Sequence, residues 1–345
     1  MSLHGTARGT ATIRDVALAS GVSTATVSRV LNDGPSVSAA TAIKVRDEVE
    51  RLGYTMNRVA RSLKKGSTRT VGVIAPELAS DFFMLLAESM DRELSRAGYS
   101  LIVCSSWENA DEEVKRMRLL AERLVDGIVV IPATGSGERI SGAMAEGRPL
   151  VLVDRIVTGI EADAVLVDNE GGAYSATAAL AAEGHRRMGF IGGSLEVSTA
   201  RERYDGWRRA MSDLGLPVEP EFTSFSGLHV ASGYDAMRAM RLRPDAPDAY
   251  FLVNAHVHVG ATNYLVSEES ASRSSNVAFA AFDEMLYSPL LRFCRYSLSQ
   301  PVAEMGVRAA RILLARIAGD HSFPPETARL PASLIRHDQR PVPVI

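Results

Sequence analysis

Eight short, almost wholly apolar runs recur from position 70 onward, and no other feature of the chain restricts its fold more. They are VGVIA (71–75), SLIVC (100–104), GIVVI (127–131), LVLVD (150–154), VLVD (165–168), MGFIG (188–192), AYFLV (249–253) and VAFAA (277–281). Segments with helical patterning, such as MLLAESMDRELSRAG and EEVKRMRLLAERLV, separate several of them. A strand apolar on both sides must be covered on both faces, and strands joined through helices run parallel. The pattern predicts an α/β body of parallel doubly wound sheets. Eight strands exceed one compact unit of usual size, whereas 345 residues suit a small head plus a two-lobed body.

The chain ahead of those strands obeys a different period. From Thr12 to Asn32 it reads as two short helices around a tight turn. Ile13, Val16 and Ala17 recur at helical spacing behind Thr12, which can cap the helix start with Asp15 three residues on. Gly21 supplies the turn, and Ser23 is a second capping residue. Val27 and Val30 form a narrow inward stripe, leaving Thr24, Ala25, Thr26, Ser28, Arg29 and Asn32 mostly outside. A short helix with small hydrogen-bonding groups, one cation and a free N-terminus suits the major groove of DNA. A helical hairpin that only packs is the alternative. Ser38 opens a third helix carrying Val45, Val49 and Leu52, and Gly53 closes it.

Charge separates the same two regions. The whole chain carries a net charge of −3, but residues 1–66 hold ten Lys/Arg against five Asp/Glu. A basic head on an acidic body concentrates phosphate attraction at one end. Next comes NRVARSLK (57–64), too short to hold a helix alone in water. Val59, Ala60 and Leu63 fall on one side of it, with Arg58, Arg61 and Lys64 around them. Such a segment is expected to order only against DNA and a partner copy.

The motifs TIRDVA, GVSTATVSRVLN, VS, LGY, NRVARSL and TRTVGVI, in this order and spacing, resemble the N-terminal region of the lactose-repressor (LacI/GalR) family of bacterial transcription regulators. The similarity continues more loosely to about residue 337. The resemblance implies a helix-turn-helix domain over 10–56, a hinge helix and linker over 57–69, and an effector-binding, dimerising body over 70–340. That body would have the periplasmic-binding-protein-like fold and cross between lobes near Val167, Gln300 and Leu330. Its first lobe would take about 70–166 and 301–328, its second about 167–299 and 329–340. DNA contacts would come from Thr12, Ser23, Thr24, Ala25, Thr26, Ser28, Arg29, Asn32, Ser36 and Tyr54 of the head. Asn57, Arg58, Ala60 and Leu63 would add those of the hinge, with Leu63 wedged between base pairs in the minor groove. Partners would be palindromic operator DNA, a second copy and a small-molecule effector.

In open α/β sheets, ligands bind outside the carboxyl ends of the strands. The residues just past those ends include Asp81, Phe82 and Phe83, then Trp107, then Asp154 and Arg155, then Arg201, Asn254 and Asp283. Rings that cover C–H faces beside fork-shaped polar groups suit a polyhydroxylated ligand. The resemblance implies effector roles for Phe82, Phe83, Asp154, Arg201, Asn254 and Asp283, and Trp107 joins them as a candidate. Each can instead be a cap or a salt bridge. One departure stands out: where the family has Asn-Asp, this chain has Asn254-Ala255, followed by His256 and His258. Histidines two apart on a helix point to different sides, so no metal site is expected there.

Other classes fit less well. The glycines at 192–193 lack dinucleotide-binding spacing, and KKGST has its lysines before the glycine, so neither is a phosphate loop. No nucleophile elbow or paired catalytic carboxylates are recognisable, and neither catalysis nor a cofactor is expected. Cys104 and Cys294 lie in apolar settings and read as buried thiols of a reducing cytosol. No apolar run approaches membrane-spanning length and nothing resembles an export signal, which predicts a cytoplasmic protein. A transport solute-binding protein would need that signal and no basic head. Without a heptad tail after Pro341, a homodimer is expected. Relief of repression by ligand is the favoured logic, with corepression as its rival.

Overall fold

The structure is a computed structural model that describes residues 11–32, 37–54, 67–133, 137–143, 147–267, 277–286, 288, 293–320 and 322–337. It divides into two units, Met1–Thr68 and Arg69–Ile345.

In the first unit, α1 (Ile13–Ser20) starts at Thr12 through a reciprocal cap. The Thr12 hydroxyl accepts from the Asp15 N–H, and the Asp15 carboxylate accepts from the Thr12 N–H at 2.8 Å. Two donors that a helix start leaves over are thereby satisfied. Gly21 ends the helix at φ 66°, a left-handed conformation without steric cost for glycine. The chain can then turn at once into α2 (Thr24–Leu31), where Ser23 Oγ accepts from the Thr26 N–H at 3.1 Å. Ser38 caps α3 (Ala39–Leu52) in the same way. Val16, Ala17, Val27, Val30 and Val45 make the core, and Val49, Leu52 and Tyr54 pack against its edge. A core this small leaves stability sensitive to single caps, each worth about 1 kcal/mol.

The second unit holds two six-stranded sheets. The first contains β1 (Thr70–Ala75), β2 (Ser100–Ser105), β3 (Gly127–Val130), β4 (Leu150–Val153), β5 (Asp163–Val167) and β11 (Thr327–Leu330). Its order is β11-β5-β4-β3-β1-β2, parallel throughout. The second contains β6 (Met188–Ile191), β7 (Thr223–Ser224), β8 (Ala249–Leu252), β9 (Ala278–Phe282), β10 (Cys294–Ser299) and β12 (Ser333–Arg336). Its order is β12-β10-β9-β8-β6-β7, parallel except where β12 runs against β10. The chain passes from one sheet to the other after β5, after β10 and after β11.

Helices α4 (Asp81–Arg96), α5 (Ala110–Glu122), α6 (Gly137–Ala143) and α11 (Val302–Ile317) belong with the first sheet. Helices α7 (Asn169–Ala182), α8 (Ser198–Asp213), α9 (Val230–Arg241) and α10 (Ala255–Val266) belong with the second. The first lobe's core is aliphatic around Val71, Val73, Val129 and Val151, whereas the second is filled by rings: Phe190, Trp207, Tyr250, Phe251 and Phe279. Gly233 and Gly260 let α9 and α10 meet backbone to backbone. A Cβ at Gly233 would collide with the Val257 backbone, and one at Gly260 with the Val230 carbonyl. This contact fixes the start of α10, where a cleft residue sits.

Strands β7, β10 and β11 carry no apolar run. β7 has two residues, and β11 is an edge strand that buries only alternate side chains. β10 lies inside its sheet, but the buried Ser297 is satisfied by hydrogen bonding to Glu284 and His337, so an apolar residue is not required there.

Candidate functional site

On the head, α2 presents Thr24, Ala25, Arg29 and Asn32 to solvent, with Thr26 and Ser28 half-buried. Several expected contact residues already hold the fold. Thr12 and Ser23 are caps, the Ser23 and Thr26 hydroxyls lie 2.9 Å apart, and the Asn32 amide donates to the Ser28 carbonyl at 2.6 Å. Thr24, Ala25 and Arg29 remain with side chains uncommitted among the described residues. Thr24 and Ala25 sit at the N-terminus of α2, where unspent N–H groups favour an anion such as phosphate, and Arg29 lies in its last turn. Tyr54 is half-buried against the core. Ser36, Asn57, Arg58, Ala60 and Leu63 lie outside the described residues.

In the body, a cleft of about 1180 Å³ opens at the carboxyl ends of strands from both sheets. The first lobe contributes Phe82 and Phe83 from the start of α4, packed edge to face at 5.2 Å, and Asp154 with Arg155 after β4. The second contributes Arg203 from α8, Asn254 and His256 at the start of α10, and Asp283 after β9. Gln300 enters from the return crossing. The structure thus brings together five of the seven residues expected here: Phe82, Phe83, Asp154, Asn254 and Asp283.

Trp107 and Arg201 are not among the lining residues. Trp107 is 64% exposed, and its ring lies against the Arg116 guanidinium at 5.0 Å. Residues 107 and 108 both have positive φ, and this turn sends Glu108, not Trp107, to the cleft. Arg201 is exposed and donates to the Leu195 carbonyl at 3.0 Å. Its expected place is taken by Arg203, two residues on and therefore about 200° further around the helix. The order of residues suggested an arginine near the start of α8; helical phase decides which one faces the ligand space.

Arg203 is buried, and its Nε donates to Asn169 Oδ1 at 2.8 Å while Nη1 donates to the Val253 carbonyl at 2.7 Å. Its guanidinium lies over the Phe282 ring, 3.7 Å from the centroid. Burial draws its pKa down while Asp283 and Asp154 oppose that, and arginine stays charged. Nη2 has no partner among the described residues. Arg155 is committed instead: Glu108 holds it in a two-pronged pair at 2.7 and 2.8 Å, and the Pro132 carbonyl accepts from it at 3.1 Å.

Asp154 and Asp283 share a conformation that few non-glycine residues adopt, with φ of 65° and 70°. Strained backbone of this kind, found in a cleft, points to placement of the side chain. Asp283 accepts from the Ala255 N–H at 3.3 Å and from the Gln300 amide. Asp154 is 7% exposed, and its carboxylate accepts no hydrogen bond from any described residue. Burial pushes its pKa up to about 6, with Arg155 and Arg203 opposing and Asp283 and Glu108 adding to the rise. Asn254 caps α10 through Val257 and donates to the Leu228 carbonyl, which leaves one amide hydrogen and one lone pair for a ligand.

The two histidines part company. His256 lines the cleft, while His258 is buried edge-on to Phe279 at 5.7 Å. Burial lowers the His258 pKa to about 4, so it is a neutral core residue. Among the described residues, no group of three or more His, Cys, Asp or Glu gathers to hold a metal. Arg203, Glu108, Arg155 and Gln300 are not among the site residues expected from sequence. For Arg155 the adjacent Asp154 is a usable signal; Arg203 needs the phase of α8.

Comparison with known proteins places both units. Residues 12–57 match the model of bacterial regulatory proteins of the lacI family. Residues 68–337 match that of periplasmic binding proteins and the sugar binding domain of the LacI family. The HTH-type transcriptional repressor PurR of Actinobacillus pleuropneumoniae serotype 3 (strain JL03) is 30% identical over 330 residues, covering 94% of this chain and 97% of that protein. The transcriptional regulator CelR, solved with cellobiose, is 28% identical with a TM-score of 0.70, covering 94% and 98% of the two chains. The lac repressor dimer bound to operator and the anti-inducer ONPF superposes with a TM-score of 0.84 at 22% identity, covering 95% of this chain and 98% of that one, and so shares its fold.

Proposed function

Because the chain belongs to the lacI family of bacterial regulatory proteins, we propose that it represses transcription as a homodimer on palindromic operator DNA, and that a small molecule in the body cleft changes its operator affinity. The observation that carries this reading is the cleft itself, where polar groups from both lobes, the Asp154 carboxylate and the remaining Nη2 of Arg203, face one space. The relatives support it: PurR is a transcriptional repressor, and CelR is a transcriptional regulator solved with a sugar. Phe82 and Phe83 offer ring faces beside those polar groups, which suits a carbohydrate-like effector.

Thr24 and Ala25 would choose half-site bases, with Ser28 and Arg29 adding base-edge or phosphate contacts. Asn57, Arg58, Ala60 and Leu63 would engage the centre of the operator, Leu63 as the wedge. Asp154 and Arg203 anchor the effector from opposite lobes, with Asp283 and Asn254 beside them. An effector that bridges the lobes favours one body state, and only a difference in affinity between states shifts the equilibrium. A coupling of about 1–3 kcal/mol changes operator affinity roughly 5- to 150-fold. We assign the ligand the role of releasing the operator. We assign the protein binding rather than catalysis, in the cytoplasm where a bacterial operator lies.

The experiment is a screen of sugars and related metabolites by thermal shift, followed by operator titration with each hit. A ligand at a hundredfold excess over its Kd raises stability by about 2.7 kcal/mol. A hit that stabilises the body and weakens operator binding supports the reading. Hits that bind equally well to Asp154→Asn and Arg203→Lys place the effector elsewhere.

A further inference from the structure

The cleft's charges narrow the ligand class further, and this inference rests on the effector-cleft reading above. Eight carboxylates and two guanidiniums are among its lining side chains, with no lysine. One guanidinium, Arg155, is already neutralised by Glu108 at 2.7 and 2.8 Å. The other, Arg203, is the remaining cation, and it faces both Asp154 and Asp283. At the rim, Glu77, Asp81 and Glu304 have no ion-pair partner among the described residues. Inside, the Asp154 carboxylate is more than nine-tenths buried yet accepts no hydrogen bond from any described residue, and the nearest guanidinium nitrogen among them, Arg155 Nε, is 3.7 Å away. Gln300 gives an amide hydrogen to Asp283, and its Oε1 is a buried acceptor without a donor among the described residues.

We propose that the cleft selects a polyhydroxylated ligand carrying a protonated amine, with Asp154 receiving the ammonium group, and that it rejects phosphorylated or carboxylated ligands. An ammonium supplies three donors and no acceptor, and so serves an orphaned carboxylate directly. A hydroxyl supplies one donor and brings no positive charge. A phosphate would meet several carboxylates with only Arg203 in its favour. Walls of one charge sign in a concave site raise the local concentration of the opposite ion by tenfold or more, roughly 10–10³ in favourable cases.

The test reads the cleft's charge selection without needing the effector's identity. Ala255, at the mouth of α10, lines the cleft and its side chain makes no polar contact. In the full-length A255C variant, the rates of thiol modification by a cationic, a neutral and an anionic methanethiosulfonate are compared with those of free cysteine. Wild type supplies the background from Cys104 and Cys294, which are half-buried and buried. The expected result, relative to free cysteine, is a cationic-to-anionic rate ratio raised at least about tenfold at low salt, shrinking as salt is added and falling in the A255C/D154N double variant. A ratio at or below that of free cysteine overturns the proposal, as does stabilisation of wild type by glucose 6-phosphate exceeding that by glucosamine. Neither outcome depends on operator binding. Should the fully modified A255C protein keep unchanged operator affinity, the effector-cleft reading fails instead.

Discussion

Replacing Asp154 by Asn should make the ligand-free body more stable at pH 8 while destroying its response to effector. The carboxyl is buried, and its pKa rises from 3.8 to about 6, some two units. At about 1.4 kcal/mol per unit, holding it ionised at pH 8 costs the folded state about 3 kcal/mol. Asparagine keeps the shape and removes the charge. The attraction of Arg155 and Arg203 is already contained in that raised pKa, so a net gain of ~2–3 kcal/mol is expected. Linkage gives the pH dependence its sign. A folded pKa above the unfolded value means that the folded state keeps a proton the unfolded state releases. The wild-type contribution is therefore fully present below about pH 4 and is lost as pH rises through about 6, whereas the variant lacks it. Urea unfolding followed by tryptophan fluorescence reads the body specifically, because both tryptophans, Trp107 and Trp207, lie in it. The stability gap should be near zero at pH 4 and open fully by pH 7–8. A variant less stable than wild type at pH 8, or a gap of equal size at pH 4 and 8, refutes the reasoning.

Four further outcomes are expected for particular side chains. Arg201→Ala should change stability by no more than ~0.5 kcal/mol and keep the effector response, because Arg201 is exposed and off the cleft; Arg203→Lys, which loses the planar fork to Asn169 and Val253, should abolish ligand-induced thermal stabilisation. Ser23→Ala removes the cap on the Thr26 N–H and should cost the head about 1 kcal/mol, read as faster hydrogen exchange across α2 with exchange in the body unchanged. Leu63→Ala should weaken binding to a palindromic site far more than to random DNA in anisotropy titrations, and an equal loss on both removes the wedge.

The legible parts of this protein are those governed by local period. The first lobe's apolar runs and the capped helices of the head announce themselves, since an all-apolar strand or a Thr-x-x-Asp start has few alternative uses. Asp154, Asn254 and Asp283 are also readable, because each follows an apolar run at the edge where open α/β sheets bind ligands. Arg203 is not, since Arg201 stands nearer the strand and only the helical phase set by Ser198 turns Arg203 inward. Trp107 looks like a binding ring by composition, yet a pair of left-handed residues presents Glu108 in its stead. The commitment of Arg155 to Glu108, 47 positions away, is a tertiary pairing that no local pattern encodes. Ser297 conceals β10 for a similar reason: its hydroxyl is satisfied by Glu284 and His337 from other parts of the chain.

The central claim is that a ligand between the lobes controls DNA binding by the head, and operator titration tests it most directly. An operator is selected from random DNA with the full-length protein, and its affinity is measured at fixed salt as the most stabilising compound from the thermal-shift screen is raised to a hundredfold above its Kd. The expected result is a palindromic operator whose affinity falls roughly 5- to 150-fold in wild type and does not move in Asp154→Asn. An affinity that stays constant in wild type across the whole titration would contradict it.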